Sequence, residues 1–299
     1  MSAESAIDME TARALLQLEQ VAERRFRSQY NQENYGGTLF GGQALGQALA
    51  AAHRTAPGWP VHSCTGYYHR GGAVDQPVDY DVEVVRDGRR FAARRVLASQ
   101  GGYPIFDLLC SFHDPEEGFR HQVGDVTGVP SPDGLLDIKD FVTLHGDRLP
   151  KHIQERHARN FPIEVRLLDP ENYFFGALRD SQHSYWFRMP SAAAVEGMRD
   201  HQCLLAFMSD YWLASTVGAV RRSQSIITGR VFVATLNHSL WFHAPVRADE
   251  WLLFRTESPW SGEGRGLVRG LIYDRSGQLI ANAVQEVSMR PHKGNPVPA

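Results

Sequence analysis

Cysteine and lysine are the scarce residues of this 299-residue chain. The three cysteines, Cys64, Cys110 and Cys203, lie far apart in sequence. An odd, scattered set argues against a disulfide framework and for a reducing compartment, taken here to be the cytoplasm. Only Lys139, Lys151 and Lys293 are lysines among 31 basic residues, which leaves 28 arginines; no function follows from that bias. Neither sign of charge dominates. Against 34 acidic side chains the net charge is -3, so the chain offers no global basic field to nucleic acid. No apolar run reaches the roughly 18 residues of a membrane span. Residues Met1 to Glu10 lack the apolar core of a secretory signal. The end, Pro296-Val297-Pro298-Ala299, carries no peroxisomal or retention address.

Signatures of common chemistries are missing too. There is no Gly-x-Ser-x-Gly elbow for a serine hydrolase. Gly-x-x-x-x-Gly-Lys and His-Glu-x-x-His are also missing. Gly262, Gly264 and Gly266 look like the start of a dinucleotide loop, but Leu267 and Arg269 stand where a third glycine is needed. His152 and His157 are five apart, as are His238 and His243. That spacing shares neither a helix face nor a strand face, so neither a metal nor a cofactor is expected. The cysteines sit in apolar runs and read as small core residues.

What is present is an ordinary globular composition, 42% apolar and 22% charged. The length suits about two domains. The two halves echo each other. Phe40-Gly41-Gly42-Gln43-Ala44-Leu45 opens one apolar stretch, and Phe207-Met208-Ser209-Asp210-Tyr211-Trp212 opens another, which ends near Arg221-Arg222. His62-Ser63 precedes Tyr67-Tyr68-His69, as His238-Ser239 precedes Trp241-Phe242-His243. Each apolar stretch predicts a buried helix, because a helix apolar on nearly every side has no face for water. Strands are predicted at Asp79 to Arg86, Arg90 to Ala98 and Ile105 to Phe112, and at Glu250 to Glu257, Gly266 to Tyr273 and Leu279 to Met289. Asp87-Gly88, Gly101-Gly102 and Ser276-Gly277 supply hairpin turns. Between the halves, Gln122 to Asp137 reads as a linker around Pro130-Ser131-Pro132-Asp133-Gly134. A short polar helix is expected between Ile138 and Arg159, and a strand from Ile163.

Within the 17 residues Leu204 to Val220, Asp210 is the only charge. An unpaired buried carboxylate costs several kcal/mol, so it must cap a helix, pair, or line a cavity. Local sequence leans to a helix N-cap. The other half has neutral Gln43 at the corresponding place, and this asymmetry favours a chemical site held by one half alone.

Phe40-Gly41-Gly42-Gln43, Arg94-Arg95, Pro104-Ile105-Phe106, Ser209-Asp210, His238-Ser239-Leu240-Trp241-Phe242-His243 and Val284-Gln285-Glu286 resemble the type II acyl-CoA thioesterases. The resemblance runs from about Leu15 to Arg290 and is poorest over Leu168 to His183. It implies an α+β double hotdog, two tandem units in which an antiparallel sheet wraps a helix. The units are expected at residues 1–120 and 161–299, joined by a linker at 121–160. It also implies hydrolysis of fatty acyl-CoA and a catalytic trio of Asp210, at the start of the second hotdog helix, Thr235 and Gln285. The first-half counterparts are taken as Gln43, about Trp59 and about Cys110, which implies one active site per chain. A homodimer or homotetramer is expected. Asn237, Ala283 and Val287 depart from the family pattern beside the trio. Arg89, Arg90, Arg94, Arg95, Arg265 and Arg269 are either sheet-edge residues or contacts for coenzyme A phosphates. An enoyl-CoA hydratase and a non-catalytic acyl-CoA-binding subunit are the rival readings.

Overall fold

The computed structural model describes residues 11–176, 181–219 and 231–291. Met1 to Glu10, Val220 with Arg221-Arg222, and Pro296 to Ala299 lie outside the described residues. Twelve strands form one antiparallel sheet. The first half supplies β1 (Leu18–Ala22), β2 (Arg25–Ser28), β3 (Val61–Tyr68), β4 (Asp79–Asp87), β5 (Phe91–Gln100) and β6 (Tyr103–His113). The second supplies β7 (Glu164–Leu167), β8 (Gln182–Arg188), β9 (Val231–Phe242), β10 (Leu252–Gly262), β11 (Arg265–Tyr273) and β12 (Leu279–Pro291). Their order is β1-β2-β4-β5-β6-β3-β9-β12-β11-β10-β8-β7. Each strand of one half thus has a counterpart in the other, and β3 pairing with β9 joins the two. At that seam Thr65 pairs with Ser239, their hydroxyl oxygens 2.9 Å apart.

The concave face holds two helices, α1 (Gly41–Thr55) and, after three short helices, the longer of two in the second half. The short ones are α2 (Ile138–Leu144), α3 (Lys151–Ala158) and α4 (Pro170–Phe175). The second half then has α5 (Met198–Ser209) and α6 (Ser215–Ala219). Every residue of α1 from Gly42 to His53 is buried, as the all-round apolar pattern demands. The two central helices run antiparallel and touch backbone to backbone. A Cβ on Gly42 would lie 2.3 Å from the Phe207 carbonyl oxygen, and one on Gly46 would lie 2.8 Å from that of Cys203. Period-two alternation turns Ala281, Ala283, Gln285 and Val287 of β12 toward these helices. No helix among the described residues is long and apolar enough to cross a membrane.

The six strands given bounds from the sequence, β4, β5, β6, β10, β11 and β12, lie where alternation and turn glycines put them. The second central helix does not. It begins at Met198, nine residues before the expected stretch opens at Phe207, and stops at Ser209, just where that stretch begins. Trp212 then takes a left-handed backbone, φ 74°, which breaks the helical path before α6. The single helix expected over 138–159 is two, α2 and α3. The strands β1, β2 and β8, at or next to the ends of the sheet, had no sequence signal strong enough to name them.

Candidate active site

Asp210 caps the C-terminal end of α5, not the start of a helix. The helix N-terminus beside it belongs to a different helix. Asp210 faces the N-terminus of α1, contributed by the other half, and accepts a hydrogen bond from the Gly42 backbone N–H. Gly41 is needed there: a Cβ would lie 2.7 Å from Asp210 Oδ2 and 3.2 Å from the Tyr68 ring. The Tyr68 hydroxyl donates to the Gly41 carbonyl at 2.9 Å, which braces the helix start.

Thr235 and Gln285 meet Asp210. Thr235 Oγ1 donates to Asp210 Oδ1 at 3.2 Å. Gln285 Nε2 donates to the same oxygen and reaches Thr235 Oγ1 at 3.1 Å. The three residues come from the end of α5, from β9 and from β12. A bulge brings Thr235 to this face. His238 pairs with Gln285 and Asn237 with Glu286, but Val287 then pairs with Thr235, skipping Leu236. Without the extra residue, Thr235 and His238, three apart, would point to opposite faces.

The surroundings set the charge of Asp210. Its side chain is 5% exposed. Burial pushes its carboxyl up from 3.8 to about 6, against the hydrogen bonds from Thr235, Gln285 and Gly42 that favour the anion. At neutral pH it is mostly ionised yet far more basic than a surface carboxylate. Tyr211 next to it belongs to a cluster of rings with Tyr35, Phe40 and Phe161. The Tyr35 and Tyr211 hydroxyls are 2.5 Å apart.

Sequence reasoning passed over His238. It is fully buried, with Nδ1 3.9 Å from Asp210 Oδ1 and 3.2 Å from Gln285 Nε2. Its Nε2 is 3.0 Å from Ser209 Oγ. Burial pulls its imidazole down to about 3, so it is neutral. The His-Ser pair was visible in sequence, but it was matched to His62-Ser63. The seam at Thr65 and Ser239 instead aligns His238 with Cys64. His62 is itself the bulged residue of β3, in the place of Leu236.

The other counterparts shift as well. Thr235 corresponds to Val61, which pairs with Phe112 as Thr235 pairs with Val287, and not to Trp59. Gln43 lies in the first turn of α1, at the opposite end of its helix from Asp210 in α5. It is tied to Tyr30, Asn31 and Gln47. Most of the singled-out arginines have carboxylate partners. Arg94 is buried on Asp87 and Arg95 holds Asp107. Arg90 reaches Glu116, Arg265 reaches Glu286, and Arg269 reaches Glu257. A cleft of about 1770 Å³ runs beneath residues 115–123 against Arg255, Arg269 and Asn282, and none of Asp210, Thr235, His238 and Gln285 lines it.

Two family models match the chain. The acyl-CoA thioesterase N-terminal domain covers residues 31–113 and the acyl-CoA thioesterase C-terminal domain covers residues 132–289. Acyl-CoA thioesterase 2 of Haemophilus influenzae is 35% identical over 277 residues, 92% of this chain and 96% of that protein. Human acyl-coenzyme A thioesterase 8 is 35% identical over 260 residues, 84% of this chain and 80% of its own. The crystal structure of an acyl-CoA thioesterase II from Mycobacterium marinum superposes with a TM-score of 0.77 at 31% identity, over 95% of this chain and all of that one. Matched over both halves of its length, the chain belongs to the acyl-CoA thioesterase family, thioester hydrolases built on a double hotdog.

Proposed function

We propose that the chain hydrolyses fatty acyl-CoA by attack of a water activated by Asp210, Thr235 and Gln285. The meeting of Thr235 and Gln285 on the buried Asp210 carboxylate carries the reading. Asp210 accepts a proton from the water as its oxygen bonds to the thioester carbonyl carbon. The tetrahedral intermediate collapses by breaking the C–S bond. The fatty acid departs with the new oxygen, and the coenzyme A thiolate takes up the proton. Thr235 and the Gln285 amide hold the water against the carbon, which makes the attack effectively intramolecular. The N–H groups at the start of α1 that neither Asp210 nor Phe40 takes up are the candidate donors for the oxyanion. His238 does not revive the hydratase reading, since both of its nitrogens are engaged inside the protein.

The proposal extends to organisation. Residues 1–120 and 161–299 form the two units, with 121–160 between them, and the second carries the trio. Exposed Tyr67, Leu109 and Trp241 lie on neighbouring strands at the centre of the outer face, which suits a homodimer or homotetramer. Free, buried cysteines suit the cytoplasm. Thiol release measured across acyl-CoA chain lengths tests the activity. Asp210→Asn is expected to lower kcat by roughly 10²–10⁴-fold; wild-type turnover in that variant removes Asp210 from the mechanism. Sedimentation that finds only monomer refutes the oligomer.

A further inference from the structure

The end of α5 carries a chain of hydrogen bonds that leads from backbone to site. The Asp210 N–H turns to the Met208 carbonyl instead of that of Ala206, so the Ala206 carbonyl is left at a helix end. The Ser209 hydroxyl donates to it at 2.9 Å. A hydroxyl has one proton. With that proton spent, Ser209 Oγ can only accept from His238 Nε2, at 3.0 Å. His238 is therefore the Nε2–H tautomer, and its Nδ1 presents a lone pair. At 3.2 Å from that lone pair lies the Gln285 amide nitrogen. The same nitrogen donates to Asp210 Oδ1, and Gln285 Oε1 has no hydrogen-bond partner among the described residues.

We infer that His238 is a positioning residue, which with Ser209 fixes the Gln285 amide so that Nε2 faces Asp210 and Oε1 is left for the reacting water. The reversed amide would place Oε1 against both the Nδ1 lone pair and the Asp210 carboxylate. Three acceptors would then face one another, and the arrangement would hold only with Asp210 protonated and His238 in the other tautomer. A helix end thus sets the orientation of a side chain on β12 through one tautomer. The inference rests on the roles proposed for Asp210 and Gln285. The titratable groups that bear on Asp210 are His238 on β9, Tyr68 on β3 and Tyr185 on β8. Both tyrosines stay neutral through the range in which Asp210 ionises.

The test has two readouts. Nitrogen-15 NMR of histidine-labelled protein, with His238 assigned by its loss in a variant, reads the tautomer without turnover. Protonated Nε2 and unprotonated Nδ1 are expected from pH 6 to 8; a protonated Nδ1 overturns the inference. Kinetics then separate positioning from mere structure. His238→Leu is expected to lower kcat roughly tenfold to a hundredfold, with KM within about threefold. Its kcat should also fall off at a higher pH, by about one unit, because the freed amide no longer favours the Asp210 anion. His238→Asn keeps an acceptor near the place of Nδ1 and should return the acid limb to its wild-type position. An acid limb unmoved in His238→Leu, or as displaced in Asn as in Leu, overturns the inference. If His238→Leu does not fold, Ser209→Ala replaces it, with a mixed tautomer and an acid limb moved the same way as the expected result. Loss of the trio reading is a separate outcome, since it shows as wild-type turnover in Asp210→Asn whatever the tautomer of His238.

Discussion

Asp210→Asn should make the protein more stable while it removes activity. Burial raises the carboxyl from 3.8 in the unfolded chain to about 6 in the folded one. The folded state therefore binds the proton more tightly. That advantage is complete below the unfolded value and is lost as pH rises through about 6. At pH 8 both states are ionised, and the folded protein bears the cost of a buried charge. A gap of about two units at 1.36 kcal/mol each is about 3 kcal/mol. Asparagine bears no such cost. Its Oδ1 can still accept from Thr235 and Gln285, but its amide nitrogen faces the Gly42 N–H, donor against donor, at about 1 kcal/mol. The net gain at pH 8 is about 2 kcal/mol. Urea unfolding followed by tryptophan fluorescence reads it as a higher midpoint at unchanged slope. The gain should shrink as pH falls below 6. Thr235→Val, which also damages the site, should instead lose about 1 kcal/mol, since it removes a hydroxyl and relieves no charge. An Asp210→Asn variant no more stable than wild type at pH 8 would refute the account of a charge held against burial.

Acid should unfold the protein even though Asp210 alone gains stability as pH falls. His53, His157 and His238 are buried and held near 3. Unfolded histidine protonates near 6.5, so the stability they lend above that pH drains away as it falls. By pH 5 the three together withdraw about 6 kcal/mol, within reach of a whole domain's stability. Cooperative loss of near-UV circular dichroism between pH 4 and 5.5 is expected, and a native spectrum at pH 3.5 contradicts it. Gly41→Ala puts a methyl against Asp210 and Tyr68; kcat should drop by about 10²-fold, with a melting temperature near wild type. Gly42→Ala drives a methyl into the Phe207 carbonyl, and should cost about 3 kcal/mol in urea unfolding, as overpacked contacts do. Cys110→Ser should keep its turnover. The thiol is buried and burial pushes it far from ionisation, so abolished thiol release in this variant would reopen a cysteine mechanism.

The strands were legible because alternation survives in a sheet with one face on the core. Residues 91–98 and 265–272 show it residue by residue. The helix of the first half was legible because every side of it is buried. The second helix was misread for the same reason. Met198 to Cys203 carries Arg199, Asp200, His201 and Gln202, and these polar residues hid a helix start at which His201 and Gln202 are satisfied inside. His201 reaches the Val195 carbonyl and the Ala248 N–H. Gln202 bonds both the N–H and the carbonyl of Val61. Composition records polarity, and partners across the fold decide whether it is buried. Asp210 was legible as an anomaly, and Thr235 and Gln285 only through resemblance. No local signal announces a bulge at Leu236, and without it Thr235 faces the wrong way.

The seam at Thr65 and Ser239 explains in chemical terms why the proposal gives one site per chain. Carried across it, Thr235, His238 and Gln285 become Val61, Cys64 and Cys110. Each change removes a capacity the first set has. Valine has no hydroxyl, and the two thiols lie buried with burial pushing them away from ionisation. Gln202 fills the space by satisfying the backbone of Val61 on both sides. A carboxylate at that end would meet neither the amide nor the hydroxyl that steady Asp210. Its burial would then be opposed by nothing but a helix end, at a cost of several kcal/mol. The second half can hold its charge because three donors from three elements converge on it. The first half has an apolar core in the same place, and that core is the cheaper solution wherever no reaction requires a base.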